Sequence, residues 1–91
     1  MTADHIRQKL EEAFKPELIE IIDHSAAHAG HAGNKGGGHF HVTLISTQFE
    51  GKSLVQRHQL VYQALGDMMK DEIHALGINA LPPLKTAKGN S

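Results

Sequence analysis

Apolar residues recur at the spacing of a helix near the start of the chain, at Ile6, Leu10, Ala13 and Phe14. This stripe predicts an amphipathic helix over residues 2–14. Pro16 ends the helix, because the residue before a proline is pushed out of helical geometry. Residues 17–24 form a short stretch rich in isoleucine, so they predict a first β-strand.

Alternating side chains mark residues 39–47 as a second strand. The two faces of this strand carry Phe40, Val42 and Leu44 on one side and His39, His41 and Thr43 on the other. Residues 25–38, between the two strands, have no periodicity and are rich in glycine, which predicts a flexible loop. A loop of this length allows the two strands to pair as an antiparallel hairpin.

The second half of the chain predicts helical structure followed by a third strand. A turn at residues 49–52 leads to Ser53, whose hydroxyl suits the cap of a helix. Helical spacing then continues through Leu54, His58, Val61, Leu65 and Met68. The helix extends to about Lys70, and we expect it to break in two at Gly66. Residues 73–80 suit the third strand.

The predicted order of elements is therefore α-β-β-α-α-β. Helices and strands in so short a chain indicate an α+β fold, in which helices cover one face of a three-stranded sheet. With 91 residues, the chain has room for one hydrophobic core. We place the domain at residues 1–81 and expect the polar tail, residues 82–91, to be disordered.

The composition argues against several classes of protein. Lys and Arg number 9 against 10 for Asp and Glu, and this balance argues against a fold that grips nucleic acid by charge alone. The absence of cysteine excludes disulfides and thiolate nucleophiles. No apolar run approaches the roughly 20 residues of a membrane helix, so we expect no membrane partner. The first residues do not resemble a signal peptide, which predicts a cytoplasmic location.

Histidine is the unusual residue, with 8 in the chain. His24, His28 and His31 are separated by three and two residues, on or beside the glycine-rich loop. Imidazoles bind zinc, copper, nickel and iron, and a loop can fold several of them towards one ion. The alternative is a polar loop in which histidine has no special role, and the spacing leaves both interpretations open.

The remaining candidate histidines lie on predicted strands and helices. His39 and His41 share a strand face, where they either extend a metal site or form a solvated surface. His58 falls on the helical stripe, which predicts a hydrogen-bonded packing residue rather than a ligand. His74 opens the third strand, where it either reaches a shared site or has a structural role.

No arrangement of catalytic residues stands out. Gly51-Lys52-Ser53 opens a helix after a strand, but the upstream glycine of a phosphate-binding loop is missing. Ser25 is the one hydroxyl with histidines near it, and a mobile loop is a poor platform for aligned catalysis. We therefore predict that the chain is not an enzyme.

Four stretches of the sequence resemble the BolA family: Ser25 to His28, His39-Phe40, Phe49 to His58, and Ile73-His74-Ala75-Leu76. The resemblance spans most of the domain and implies a type II KH-like fold with the element order given above. Gln59 departs from the pattern, because many relatives carry a second arginine at that position. The tail also lacks the acidic residue and tryptophan that begin a last helix, which leaves open whether this chain forms one.

The resemblance implies an adaptor whose partner is a monothiol glutaredoxin. In BolA-like proteins the two partners share a [2Fe–2S] cluster, which the glutaredoxin binds through a cysteine and a bound glutathione. The BolA partner supplies a loop histidine or cysteine and the histidine near the last strand. At the matching positions here these are His28 and His74, with His31 as competitor for the loop position. In the absence of its partner, we expect the chain to be a monomer or weak homodimer without a cofactor.

Two further functions are alternatives. Some members of the family are described as transcription factors, which implies a DNA-binding regulator with Lys35, Lys52 and Arg57 as phosphate contacts. The net charge of -1 argues against this function. The other alternative is a simple zinc or copper binder that uses the loop histidines.

Overall fold

The computed structural model describes residues 2–24 and 38–84. Its helices are α1 (Thr2–Phe14), α2 (Leu54–Leu65) and α3 (Met68–Asp71), and a short 3-10 helix lies at Thr47–Phe49. Its strands are β1 (Leu18–Asp23), β2 (Gly38–Ile45) and β3 (Ile73–Leu81). The predicted element order is confirmed, and the strand bounds differ from the predicted ones by one or two residues.

The three strands form one mixed sheet with β2 in the centre. Strand β1 pairs antiparallel with β2, as the predicted hairpin requires, and Leu18 lies opposite Ile45. Strand β3 pairs parallel with β2, so the chain crosses over through α2 and α3 before it returns to the sheet. The connection from β2 to β3 is long enough for a parallel pair, which needs a crossover of about a dozen residues. The antiparallel pair of β1 and β2 needs no such crossover.

All three helices cover the same face of the sheet. The alternation predicted for β2 is confirmed, since Phe40, Val42 and Leu44 are buried and alternate with half-buried residues. Ile6 and Leu10 of α1 are fully buried in the same core. The helices thus cover the face that carries the apolar side chains. Among residues 2–24 and 38–84, no helix packs on the opposite face, which is the open face of the sheet.

Local sequence fixes the second half of the fold as predicted. Ser53 and Gln56 form a capping box, in which each side chain accepts a hydrogen bond from the other residue's main-chain N–H. Gly66 ends α2 with a φ of 55°, a conformation that favours glycine. Phe49 is fully buried and packs against Phe14, with ring centroids 4.9 Å apart.

The predicted apolar stripe of α2 is wrong at its first position. Leu54 is 63% exposed, whereas Val61 and Leu65 are fully buried. The first turn of α2 therefore faces solvent, and only the later turns face the core. Ala13 is likewise exposed at the end of α1.

Strand β3 ends at Leu81. Residues 85–91 lie outside the described part of the chain, so the disorder of the tail stays a prediction. Within residues 2–24 and 38–84, no helix has the length and apolar character needed to cross a membrane.

Candidate functional site

The open face of the sheet carries four histidines at one of its ends. His39 and His41 project from β2, His74 lies at the start of β3, and His24 follows the last residue of β1. His24 extends the hairpin by one further bond, because its main-chain N–H donates to the His39 carbonyl at 2.7 Å. The regular pairing of β1 with β2 therefore brings residues that are distant in sequence to one end of one surface.

An irregularity in the pairing of β2 with β3 determines where His74 lies. Gly38 is the partner of Ile73, but His39 is the partner of Ala75, so His74 is an extra residue on β3. Such bulges redirect side chains, because they reverse the alternation of a strand. Ile73 is accordingly buried in the core, and His74 is exposed on the open face.

The rings of His39 and His74 stack on each other. Their centroids are 5.1 Å apart, and their planes are inclined by 26°. His74 is exposed and His39 is half-buried, so both rings are accessible to a ligand or a partner. Imidazole nitrogen is a common ligand of zinc and other transition metals, so these two rings are candidate ligands.

His41 occupies the space above a glycine of the neighbouring strand. A Cβ atom on Gly77 would lie 2.6 Å from Cδ2 of His41, which is closer than non-bonded carbon atoms approach each other. Both residues line a shallow depression on the open face, together with His24, His39, Phe40, Ala75 and Leu76. Gly77 therefore allows the His41 ring to lie close to the sheet beside the stacked pair.

Both residues that flank the segment 25–37 are hydrogen-bonded at the same end of the sheet as His74. Gly38 donates its N–H to the Glu72 carbonyl at 3.1 Å, and His24 is hydrogen-bonded to His39. His28, His31 and Lys35 lie outside the described residues, so their predicted roles stay predictions. Within the two described ranges, no group of three or more His, Asp or Glu side chains is arranged to hold a metal ion.

The two described residues of the proposed DNA contact differ in their surroundings. Arg57 donates from Nε to the Lys52 carbonyl and from Nη1 to the Ala80 carbonyl, both at 3.0 Å. The guanidinium thus joins the turn before α2 to the end of β3. Lys52 is half-buried and lies at the edge of a second depression, formed by this turn and α2.

His58 is the hydrogen-bonded residue that the sequence predicts. Its Nδ1 lies 2.9 Å from the Leu54 carbonyl oxygen, one turn earlier in the same helix, and donates to it. His58 is half-buried on α2, and α2 lies on the face of the sheet opposite to the four histidines.

Sequence reasoning missed the role of Gly77 and the bulge at His74. A glycine inside a predicted strand often marks a bulge or a close approach, and this pattern was available in the sequence. The stacking of His39 on His74 depends on the register of two strands more than 30 residues apart in the chain, and the sequence does not contain that register directly.

Comparison with known proteins assigns this architecture to a class. The BolA domain of SufE1 from Arabidopsis thaliana matches with a TM-score of 0.79 at 43% identity, over 90% of this chain and 92% of that one. The solution structure of BolA1 from Mus musculus matches with a TM-score of 0.73 at 39% identity, over 97% of this chain and 70% of that one. A three-stranded mixed sheet with helices on one face is thus an α+β fold of the BolA type.

Sequence comparison leads to the same family. Residues 10–85 match the family described as BolA-like protein. BolA-like protein 1 of Mus musculus is 45% identical over 78 residues, which make up 86% of this chain and 56% of that protein. The chain belongs to the BolA-like family.

Several relatives are longer than the present chain. It spans about half of BolA-like protein 1 and 23% of SufE-like protein 1, chloroplastic/mitochondrial, from Arabidopsis thaliana. The name of the second relative includes two organelles, so the cytoplasmic location stays a prediction. The DNA-binding transcriptional regulator BolA of Escherichia coli is 34% identical over 79 residues, which make up 87% of this chain and 73% of that protein.

The contact between His41 and Gly77 yields a prediction about coupling. We expect Gly77→Ala to displace the His41 ring and to cost about 1 kcal/mol, because added atoms overpack a filled space. In a His41→Ala background the same substitution meets no ring and has a smaller cost. Urea denaturation of the two single variants and the double variant measures this coupling. Equal costs of Gly77→Ala in both backgrounds would contradict the observed contact.

Proposed function

We propose that this chain is an adaptor that shares a [2Fe–2S] cluster with a monothiol glutaredoxin. The ligands from this chain are His74 and one histidine of the 25–37 segment, His28 or His31. The glutaredoxin contributes its cysteine and a bound glutathione. The role of such a pair is iron–sulfur cluster trafficking or regulation linked to iron.

The observation that carries this proposal is the position of His74. The bulge in β3 directs this side chain out of the core, at the end of the sheet where residues 24 and 38 flank the segment that contains His28 and His31. A ligand from that segment and His74 therefore need not cross the molecule to meet. A partner that donates sulfur also has access, since the helices cover only the opposite face.

The donor types present on this face fit an iron–sulfur cluster with mixed ligands. The chain has no cysteine, so its own contribution consists of imidazole nitrogens. Histidine ligands on one iron raise the reduction potential of a [2Fe–2S] cluster relative to an all-cysteine site. On this chain, the His39 ring stacks on the His74 ring at the same end of the open face. Arg57 joins the turn before α2 to the end of β3 behind the site.

Substitution of His74 separates a ligand from a structural residue. We expect His74→Ala to fold like the parent chain, because the side chain is exposed, and to lose most of the shared cluster. The measurement is visible absorption and circular dichroism of the complex after co-expression with a monothiol glutaredoxin, together with iron content and size. His58→Ala is the matched control, since this histidine lies on the helical face.

An unchanged cluster spectrum in His74→Ala would remove this residue from the site. A wild-type pair that forms a complex without iron, or no complex at all, would contradict the proposed function itself.

DNA binding is the second candidate, and the names of relatives favour it. The BolA proteins of Escherichia coli and Vibrio cholerae are both named DNA-binding transcriptional regulators, and the latter is 40% identical over 79 residues. The phosphate contacts would be Lys35, Lys52 and Arg57. Two donors of Arg57 already bind main-chain carbonyls, so this guanidinium offers fewer free N–H groups to a phosphate.

A salt titration of DNA binding decides on this second candidate. With few cations and a net charge of -1, we expect weak binding whose affinity depends little on salt concentration. Tight binding that falls steeply with added salt, and that Lys52→Ala weakens, would instead favour the regulator. Gln59→Ala is the matched control, because this residue lines the same depression as Lys52 and carries no charge.

A further inference from the structure

The stacked pair of His39 and His74 has the spacing of a metal site in the chain alone. An ion bound to a ring nitrogen at about 2.1 Å lies about 3.2 Å from the centroid of that ring. Two imidazoles on one tetrahedral ion therefore have centroids about 5.2 Å apart. The observed distance between the centroids of His39 and His74 is 5.1 Å.

Only the ring orientations need to change for both residues to bind one ion. The backbone positions are set by the pairing of β2 with β3 and by the bulge at His74. The terminal torsion of histidine is broad and roughly two-fold, so each ring can turn one nitrogen towards a common point. Neither side chain is buried, and rotation therefore does not disturb the core.

The surroundings of the pair are also suitable for a cation. The described residues that line the adjoining depression are histidines, Phe40, Ala75, Leu76 and Gly77, with no Lys or Arg among them. His24 and His41 contribute further imidazoles to the same depression, although three described side chains do not converge on one point. This geometry supports two protein ligands, and water completes the coordination.

We propose that His39 and His74 form a two-imidazole site for a divalent transition-metal ion in the absence of any partner protein. Imidazole suits Zn(II), Ni(II) and Cu(II), and Cu(II) forms the strongest complexes of the three. The site is independent of the glutaredoxin partnership, and it differs from the expectation that the chain alone binds no cofactor. It also differs from the zinc or copper site predicted in the loop, because neither ligand belongs to residues 25–37.

Cu(II) is the probe that tests this site, in a full-length variant with His28→Asn and His31→Asn. These substitutions remove the loop imidazoles and leave the open face unchanged. We expect this background variant to bind one Cu(II), with an electron paramagnetic resonance spectrum that shows two nitrogen ligands. Adding His39→Asn or His74→Asn should each weaken binding at least tenfold and remove one nitrogen from the spectrum.

His41→Asn in the same background is the matched control, because it lies on the same strand and face but outside the pair. We expect this control to change the affinity less than threefold. A second measurement needs no substitution at the pair: Cu(II) added to the wild-type chain should broaden the amide resonances of residues 39, 74 and 75.

Three results would overturn the site. Loss of binding in the background variant would assign the ion to the loop. Unchanged binding after His39→Asn and His74→Asn would exclude the pair. An equal loss with His41→Asn, or broadening centred away from residues 39, 74 and 75, would place the ion elsewhere on the chain.

Discussion

The pairing of β2 with β3, with one extra residue at His74, is the constraint on which the rest of the site depends. A regular strand would direct His74 into the core and Ile73 to solvent, because side chains alternate between the two faces. The bulge reverses this order, so that Ile73 is buried and His74 is exposed. This one extra residue thus determines that Ile73 makes the apolar contact and that the His74 side chain is accessible as a ligand.

Stability and binding are separated between the two faces of the sheet. One face is covered by the helices, and its apolar side chains form the core with Phe49 of the turn. Arg57 and the capping box of Ser53 stabilise this layer through main-chain hydrogen bonds. The other face carries the histidines, and we expect their substitution to change the stability of the fold little. Substitutions there can therefore test function without unfolding the protein.

The sequence predicted the fold well because its cues are local. The alternation in β2, the cap at Ser53 and the break at Gly66 each act within a few residues, and the structure contains all three. The site was predicted only in part, since its geometry depends on long-range register. The sequence identified the exposed face of β2 and the opening position of His74, but not their contact. Leu54 keeps the helical spacing but lies outside the core, because spacing alone does not show which turns of a helix contact the sheet.

The bulge that exposes His74 and buries Ile73 is tested most directly by a nuclear Overhauser measurement on the full-length chain in solution. The bulge and the ring stacking predict cross-peaks between the ring protons of His39 and His74. They also predict cross-peaks between the side chain of Ile73 and core residues such as Phe40. Regular pairing without the bulge would give the opposite pattern, with the His74 ring against the core and Ile73 in solvent. That result would contradict both the shared-cluster proposal and the two-imidazole site.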